Sequence, residues 1–416
     1  MANRTGSADL PLHGGHVPAW LGQRMSTLGG IITEAIVHHY GRDAFLERLA
    51  HPFWFQSFGA VMGMDWHSSG ITTSVIGALK RGLAPHKDEL GIYVCGGRGK
   101  HSRKTPDELQ SLGDRIGLDA DGLTRASRLV AKVDSAAVQD GFDLYLHGFF
   151  VTADGKWTVV QQGMNGDTKQ ARRYHWHSAA AKDFVDEPHS AIDGPYQGEI
   201  INLTDHRAVE ARDAQLTLLG RLGPDRILRE FEALDKTPVL QAELPHLIMP
   251  SHHDVRPKDV FARRLHGTLV AAAELGPVDY PDLLLTPGVG ARTVRSLAMV
   301  AEVVHGTPYR FKDPARFSLA HGGKDRHPYP VPLKVYAETI RVLKSAVQGA
   351  KLGREEEIGA LKRLDVQARR LEGMAKGPSL DTFISDELAA SPELGGRSVF
   401  GWEYDLQASA GKRKAS

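Results

Sequence analysis

The segment Tyr280-Pro-Asp-Leu-Leu-Leu-Thr-Pro-Gly-Val-Gly-Ala-Arg-Thr-Val-Arg-Ser-Leu-Ala298 is the most informative stretch of this 416-residue chain. Its pattern predicts a short helix carrying Leu283–Leu285, a turn at Pro287–Gly290, and a longer helix that continues to about His305. Glycines in the turn would permit positive φ angles and a close approach of the backbone to a partner. Apolar residues at three- and four-residue spacing would bury one face of the second helix.

This turn has the features of a phosphate-binding element. Val289 between Gly288 and Gly290 would anchor the turn in the core, and the amides at the start of the second helix would point outward. A helix N-terminus favours an anion, and Arg292 and Arg295 add positive charge there.

The segment 279–305 resembles the helix-hairpin-helix of DNA repair and recombination proteins, in which the turn amides hold one phosphate. The resemblance implies DNA binding through the phosphate backbone, which carries no base sequence. A purely structural corner between two helices is the alternative.

Composition limits the kind of binding that is expected. Lys plus Arg number 51 and Asp plus Glu number 50, so any nucleic acid must be bound by local basic surfaces rather than by net charge. The single cysteine, Cys95, excludes an intramolecular disulfide and a cysteine-cage zinc site. An apolar secretory leader and an apolar run of about 20 residues are both missing, so we expect a cytoplasmic protein without a membrane span.

Helical and β-type patterns are mixed along the chain. Residues 18–50 predict a helix with a break at Gly41. The segments 60–64, 71–76 and 90–94 lean towards β-strands. Residues 142–151 and 156–162 flank Asp154-Gly155, which is typical of a β-hairpin.

The pattern predicts the α+β class in three parts. Residues 1–200 would form a mixed domain with a small antiparallel sheet and the candidate catalytic residues. Residues 201–376 would form a helical DNA-binding domain, and residues 377–416 an extension with a disordered tail. The boundary follows Asp193-Gly-Pro195, where glycine and proline interrupt the secondary-structure pattern.

Five further segments carry a whole-chain resemblance. They are Leu10-Pro-Leu-His-Gly-Gly15, Gly63-Met-Asp-Trp-His-Ser-Ser-Gly70, Val159-Val-Gln-Gln-Gly-Met-Asn165, Met249-Pro-Ser-His-His253 and Ala320-His-Gly-Gly-Lys-Asp325. Together they make residues 8–370 similar to the family named domain of unknown function 763. The resemblance implies no activity, substrate or catalytic residue.

Two sets of residues are candidate metal ligands. Asp65 and His67 are two residues apart, which on a strand places both side chains on one face. Carboxylate and imidazole can bind Mg²⁺ or Mn²⁺, and an apolar strand ending in Asp is similar to RNase-H-like nucleases. His252 and His253 are further candidates. The alternatives are a turn nucleated by Asp65 and histidines that serve as structural hydrogen-bonding groups.

Asp143 is a third candidate catalytic residue. It begins a predicted strand that pairs with a strand carrying Gln161 and Gln162, in the outline of a restriction-type nuclease core. The sequence departs from that pattern because the second strand has no Glu-x-Lys, and an amide cannot act as a general base.

Two basic segments are candidate phosphate contacts. Arg98 and Lys100 lie in a Gly-rich loop that follows a strand and precedes Thr105–Glu108, which fits a helix capping box. The loop is not a Walker A motif, since Val94 and His101 occupy two defining positions. Arg172 and Arg173 lie among aromatic residues in 169–177, a composition that binds phosphates and stacks bases but also occurs on exposed strand edges.

Taken together, the residues favour a metal-dependent nuclease that uses Asp65, His67 and Asp143 with Mg²⁺ or Mn²⁺. A base-excision glycosylase would instead use Asp313, which follows the Gly306-Thr-Pro308 loop. The expected role of Asp313 is instead to cap a helix that begins at Pro314. A DNA-binding accessory protein without chemistry is the non-enzymatic alternative.

Overall fold

The computed structural model describes residues 17–64, 69–235, 262–315, 333–350 and 352–374, with a few short stretches between 385 and 402. The predicted α+β class is confirmed. The helices are α1 (Ala19–Leu49), α2 (Pro52–Val61), α3 (Gly70–Leu83), α4 (Lys87–Leu90), α5 (Thr105–Ile116), α6 (Ala120–Lys132), α7 (Val209–Arg221), α8 (Pro224–Asp235), α9 (Ala262–Leu275), α10 (Tyr280–Leu285), α11 (Ala291–His305), α12 (Leu333–Gly349) and α13 (Arg354–Met374). The strands are β1 (Ile92–Arg98), β2 (Val138–Gln139), β3 (Asp143–Thr152), β4 (Trp157–Asn165), β5 (Gln170–His177), β6 (Ala191–Asp193), β7 (Glu199–Asn202), β8 (Arg310–Lys312), β9 (Arg397–Ser398) and β10 (Gly401–Trp402).

The largest sheet has five antiparallel strands in the order β1-β3-β4-β5-β6. Arg98, Leu146, Gln162 and Arg173 are successive partners across four strands and mark one end of this sheet, here called the Arg98 end. The hairpin predicted at Asp154-Gly155 is confirmed, since it connects β3 to β4.

Both faces of this sheet are buried. Leu146, Phe150 and Val160 belong to a core with α1, α2 and α3. Phe149 and Trp176 belong to a second core, which also contains residues of α5, α6, α7, α10 and α11. A sheet covered on both sides has apolar residues at consecutive positions, so its strands do not alternate cleanly in sequence.

The N-terminal helices correct one prediction. The helix predicted for residues 18–50 is confirmed as α1, with a kink at Gly41, whose φ is 86°. By contrast, the β-leaning segments 60–64 and 71–76 fall at the end of α2 and within α3. Short apolar runs fit either a strand or a buried helix. The α3 side chains Ile71, Val75 and Leu79 recur at four-residue spacing and are fully buried, which decides for the helix.

A small sheet connects the two predicted halves of the chain. Its strand order is β2-β7-β8, so residues near 138, 200 and 311 are hydrogen-bonded neighbours. The boundary predicted near residue 200 falls inside β7. One continuous core then contains residues from both sides of it, from Tyr93 to Ala315. Among the described residues, no helix is both long and apolar enough to cross a membrane.

Candidate nucleic-acid interface

The segment around Val289 forms two helices joined by a tight turn. Asp279 caps α10, because its side chain accepts a hydrogen bond of 2.8 Å from the Asp282 amide. After α10, the Val289 amide donates to the Thr286 carbonyl at 3.1 Å. The Val289 side chain is 1% exposed, so it anchors the turn in the core as predicted.

The two glycines of the turn have different roles. Gly288 has a φ of 86°, which favours glycine, and an added Cβ would lie 3.0 Å from Thr268 Oγ1. Gly290 has a φ of −154° and a ψ of −171°, an extended conformation open to any residue. The positive φ predicted for Gly290 is therefore wrong. A Cβ added there would meet no atom of the described residues within 4 Å, so Gly290 is open on the side of the described chain.

Helix α11 begins directly after this open position. Gly290 is its N-cap and provides no side-chain hydrogen bond, and the first turn contains no acidic residue. The first amides of a helix lack intrahelical acceptors, and the helix dipole places partial positive charge there. The start of α11 can therefore receive an anion such as a phosphate oxygen.

The turn is held in place by α6 and by the segment that follows it. Lys132 Nζ donates a hydrogen bond to the Val289 carbonyl. Gln139 Nε2 donates to the Ala291 carbonyl at 2.8 Å. Arg125 of α6 pairs with Asp282 of α10 at 2.8 Å. These contacts come from outside the hairpin and fix the backbone before any ligand arrives.

The two arginines of α11 are placed differently. Arg292 is exposed in the first turn, where the sequence predicts a phosphate contact. Arg295 is only 4% exposed. Its predicted role as a surface contact is wrong, because its side chain is buried. The neighbouring side chains Val294, Leu297 and Ala298 are buried as well.

The basic segment after β1 is exposed. Gly99–Lys104 forms a 3₁₀ turn, and the exposed basic residues of this region are Arg98, Lys100, Arg103 and Lys104. The Arg98 guanidinium lies 5.9 Å from the centre of the Tyr145 ring. Both predicted contacts in this segment, Arg98 and Lys100, are thus on the surface.

The predicted capping box at the start of α5 is wrong. The Thr105 hydroxyl donates to the Ser102 carbonyl at 2.8 Å instead of capping the helix. Glu108 turns towards β1, where it accepts from the Gly96 amide at 2.8 Å and pairs with Lys80 at 2.7 Å. Burial raises the pKa of the Cys95 thiol to about 12, which excludes a thiolate nucleophile near neutral pH.

Arg172 and Arg173 cannot be surface phosphate contacts, because both are 0% exposed. Strand β5 lies between β4 and β6 and is covered on both faces, so a cation there needs a buried partner. Arg172 pairs with Asp140 at 2.8 Å and with Asp313 at 2.6 Å. Burial alone would lower the pKa of Arg172, but Asp313 and Asp140 more than offset this and raise it.

The second arginine has its own partners on the opposite face of β5. Arg173 pairs with Asp193 at 2.6 Å and donates to Gln56 Oε1 at 2.9 Å.

Asp313, the residue of the glycosylase alternative, is 1% exposed and accepts from the Gln197 amide at 2.7 Å and from Arg172. A carboxylate committed in this way is closed to a nucleotide substrate.

A buried polar network was not predicted from sequence. It lies on the face of the sheet that carries Phe149 and Trp176. Ser127 Oγ lies 3.0 Å from His147 Nε2, and His147 Nδ1 lies 2.6 Å from Gln161 Oε1. Gln161 Nε2 donates to Asp134, which also contacts His189. Desolvation lowers the pKa of His147, which favours the neutral imidazole. Since these side chains are buried, the network serves to satisfy polar groups within the core.

The remaining candidate residues are only partly described. Asp143 is exposed at the start of β3, at the Arg98 end of the sheet. Asp65, His67, His252 and His253 lie outside the described residues. Within the part of the chain that the structure describes, no three His, Cys, Asp or Glu side chains form a group that could hold a metal ion.

The fold and surface define a mixed α+β protein with an exposed helical turn and a separate exposed basic segment. A family model described as "Protein of unknown function (DUF763)" matches residues 6–331, and the chain therefore belongs to this family. Neither a curated protein nor a solved structure matches the chain.

Proposed function

We propose that the protein binds DNA through the phosphate backbone, without base specificity, and that the turn Thr286–Gly290 with the start of α11 is the contact. The observation that carries this proposal is the open space at Gly290. Among the described residues no neighbour requires glycine at position 290, and its φ angle does not require it either. A phosphate that approaches the first amides of α11 would require a residue without a side chain there. The exposed Arg292 and the anchored turn support the same contact.

Binding should weaken steeply with salt and be indifferent to base sequence. Each neutralised phosphate releases counterions, so log K should fall with log salt by about 0.9 per contacted phosphate of duplex DNA. Fluorescence anisotropy with two labelled duplexes of unrelated sequence, between low and physiological salt, measures both properties. Salt-independent binding, or a strong preference for one duplex, would contradict backbone recognition.

We further propose, as the leading activity, metal-dependent strand cleavage by Asp65, His67 and Asp143. The surroundings of the flanking residue Ser69 support it. Gln162 Nε2 donates to the Ser69 carbonyl at 3.0 Å and to the Tyr145 hydroxyl at 2.6 Å. Gln162 Oε1 is buried and has no hydrogen-bond partner among the described residues.

This environment suits hydrated metal chemistry next to a phosphate. A carboxamide oxygen accepts from metal-bound water or binds the ion directly. Arg98, stacked over Tyr145, brings the exposed basic segment to the same end of the sheet. A divalent ion bound there would activate water and stabilise the leaving oxygen. Asp65 and His67 precede Ser69 by four and two residues in the sequence.

Incubation of supercoiled and single-stranded DNA with Mg²⁺, with Mn²⁺ and with EDTA tests this activity. We expect metal-dependent strand breaks that EDTA abolishes and that Asp65→Asn reduces by at least a hundredfold, with DNA affinity retained. Asp121→Asn, which changes an exposed carboxylate of α6, is the control. Breaks that persist in EDTA or in Asp65→Asn would exclude this mechanism. Binding without breaks would favour an accessory protein.

A further inference from the structure

Helix α6 connects the exposed basic segment to the phosphate-binding turn. On one side, Thr124 Oγ1 donates to the Pro106 carbonyl at 3.3 Å, two residues beyond Lys104. On the other side, Lys132 Nζ donates to the Val289 carbonyl inside the turn. Eight residues separate Thr124 from Lys132, which is about 12 Å along a helix that rises 1.5 Å per residue.

The ridge of α6 between these two contacts carries an exposed arginine. Successive residues of a helix are 100° apart, so Arg128 lies between the side of Thr124, which faces α5, and the side of Arg125 and Lys132, which faces α10. Arg128 is exposed, and it has no ion pair within the described residues. The acidic residues at the start of α6 are the N-cap Asp119 and Asp121, which precede Arg128 by nine and seven residues.

The positive charges of the neighbouring Gly99–Lys104 segment are not neutralised by ion pairs with described residues. Lys100, Arg103 and Lys104 are exposed and have no ion pairs with described residues. Glu108, the carboxylate one turn into α5, is occupied by Lys80 and by the Gly96 amide. Asp107 is the other acidic residue in this first turn, and it is exposed. Within residues 99–108, exposed cations therefore outnumber exposed carboxylates.

We propose that Arg128 joins the Gly99–Lys104 segment and the turn at Gly290 into one continuous basic track for a DNA strand. The inference rests on the proposed function and adds a contact residue and a length requirement. A strand advances about 3.4 Å per nucleotide, so a track of at least about 12 Å covers about four nucleotides or more. Shorter oligonucleotides contact one end of the track only.

A length series of labelled oligonucleotides, with 4, 8, 12 and 16 nucleotides, tests the track in anisotropy titrations. For the unaltered protein, affinity should rise steeply between 4 and 12 nucleotides. Arg128→Glu should weaken binding of the 12-mer about tenfold, flatten the length dependence and reduce the salt slope by about one. Lys182→Glu reverses an exposed charge beyond β5, at the opposite end of the sheet, and should leave all three unchanged.

The proposed function and the track fail in different ways. If Arg128→Glu binds the 12-mer with full affinity and slope while Gly290→Val is weakened, the track is wrong and the turn remains the contact. If Gly290→Val also binds normally, the proposed function itself is wrong. Thermal melting of each variant by circular dichroism shows whether it is folded, and Arg128→Ala replaces Arg128→Glu if charge reversal unfolds the protein.

Discussion

Gly290→Val should lower the affinity for DNA at least tenfold while changing the unfolding temperature little. The φ of −154° suits a β-branched residue, and the added side chain points into open space, so the fold tolerates it. Its bulk would stand between the first amides of α11 and an approaching phosphate. Hydrogen bonds to a charged group contribute about 1.5–3 kcal/mol each, and tenfold in affinity is about 1.4 kcal/mol.

Gly220→Val is the matched control for that variant. Gly220 is an exposed residue of α7, and a Cβ added there also meets no described atom within 4 Å. This control should bind DNA normally. Anisotropy gives the affinities, and circular dichroism melting gives the unfolding temperatures. A folded Gly290→Val protein with full affinity would show that the turn is a structural corner between two helices.

The two helices α10 and α11 and the turn between them could be predicted because their signals are local. Apolar residues at helical spacing, a proline and two glycines all lie within 20 residues of Val289. The contacts that they specify join residues that are close together in the sequence. The β3–β4 hairpin has the same property, since Asp154-Gly155 specifies the turn directly. Both predictions depend on backbone preferences that a single segment carries by itself.

The fate of Arg172 and Arg173 could not be predicted in this way. Cations interleaved with aromatics are typical of an exposed edge, but β5 is an inner strand of a sheet covered on both faces. The partner that makes burial of Arg172 tolerable, Asp313, is 141 positions away in the sequence. A buried ion pair of this kind leaves no local pattern, because each residue alone has the composition of a surface residue.

The same reasoning explains the network that the sequence did not reveal. Asp134 lies in the π-helical turn Val133–Ala137 at the end of α6, and its partners Gln161, Trp176 and His189 come from three later segments. Tertiary packing, rather than spacing, brings them together. By contrast, Gln162 departs from the restriction-type nuclease pattern in the sequence alone, and in the structure its carboxamide donates to the Ser69 carbonyl.

Asp313→Asn should destabilise the protein by about 3 kcal/mol or more, well beyond the loss of a helix cap. Asp313 accepts from Arg172 at 3.0 Å and 2.6 Å, from the Gln197 amide at 2.7 Å and from the Ala315 amide at 2.9 Å. Removing one partner of a buried pair costs about 3–5 kcal/mol, whereas a cap contributes about 1 kcal/mol. Urea unfolding measures the difference.

Asp279→Asn provides the control, because Asp279 is an exposed cap of α10 without a buried ion pair and asparagine caps a helix as well as aspartate does. Its free energy of unfolding should hardly change. The same pair of variants tests the glycosylase alternative, since that mechanism needs Asp313 to face the sugar rather than Arg172. The glycosylase alternative makes a different prediction: Asp313→Asn would keep its stability and its DNA binding but lose a base-release activity that the unaltered protein has. That outcome would show that the Asp313 carboxylate acts on the substrate and that pairing with Arg172 is not its role.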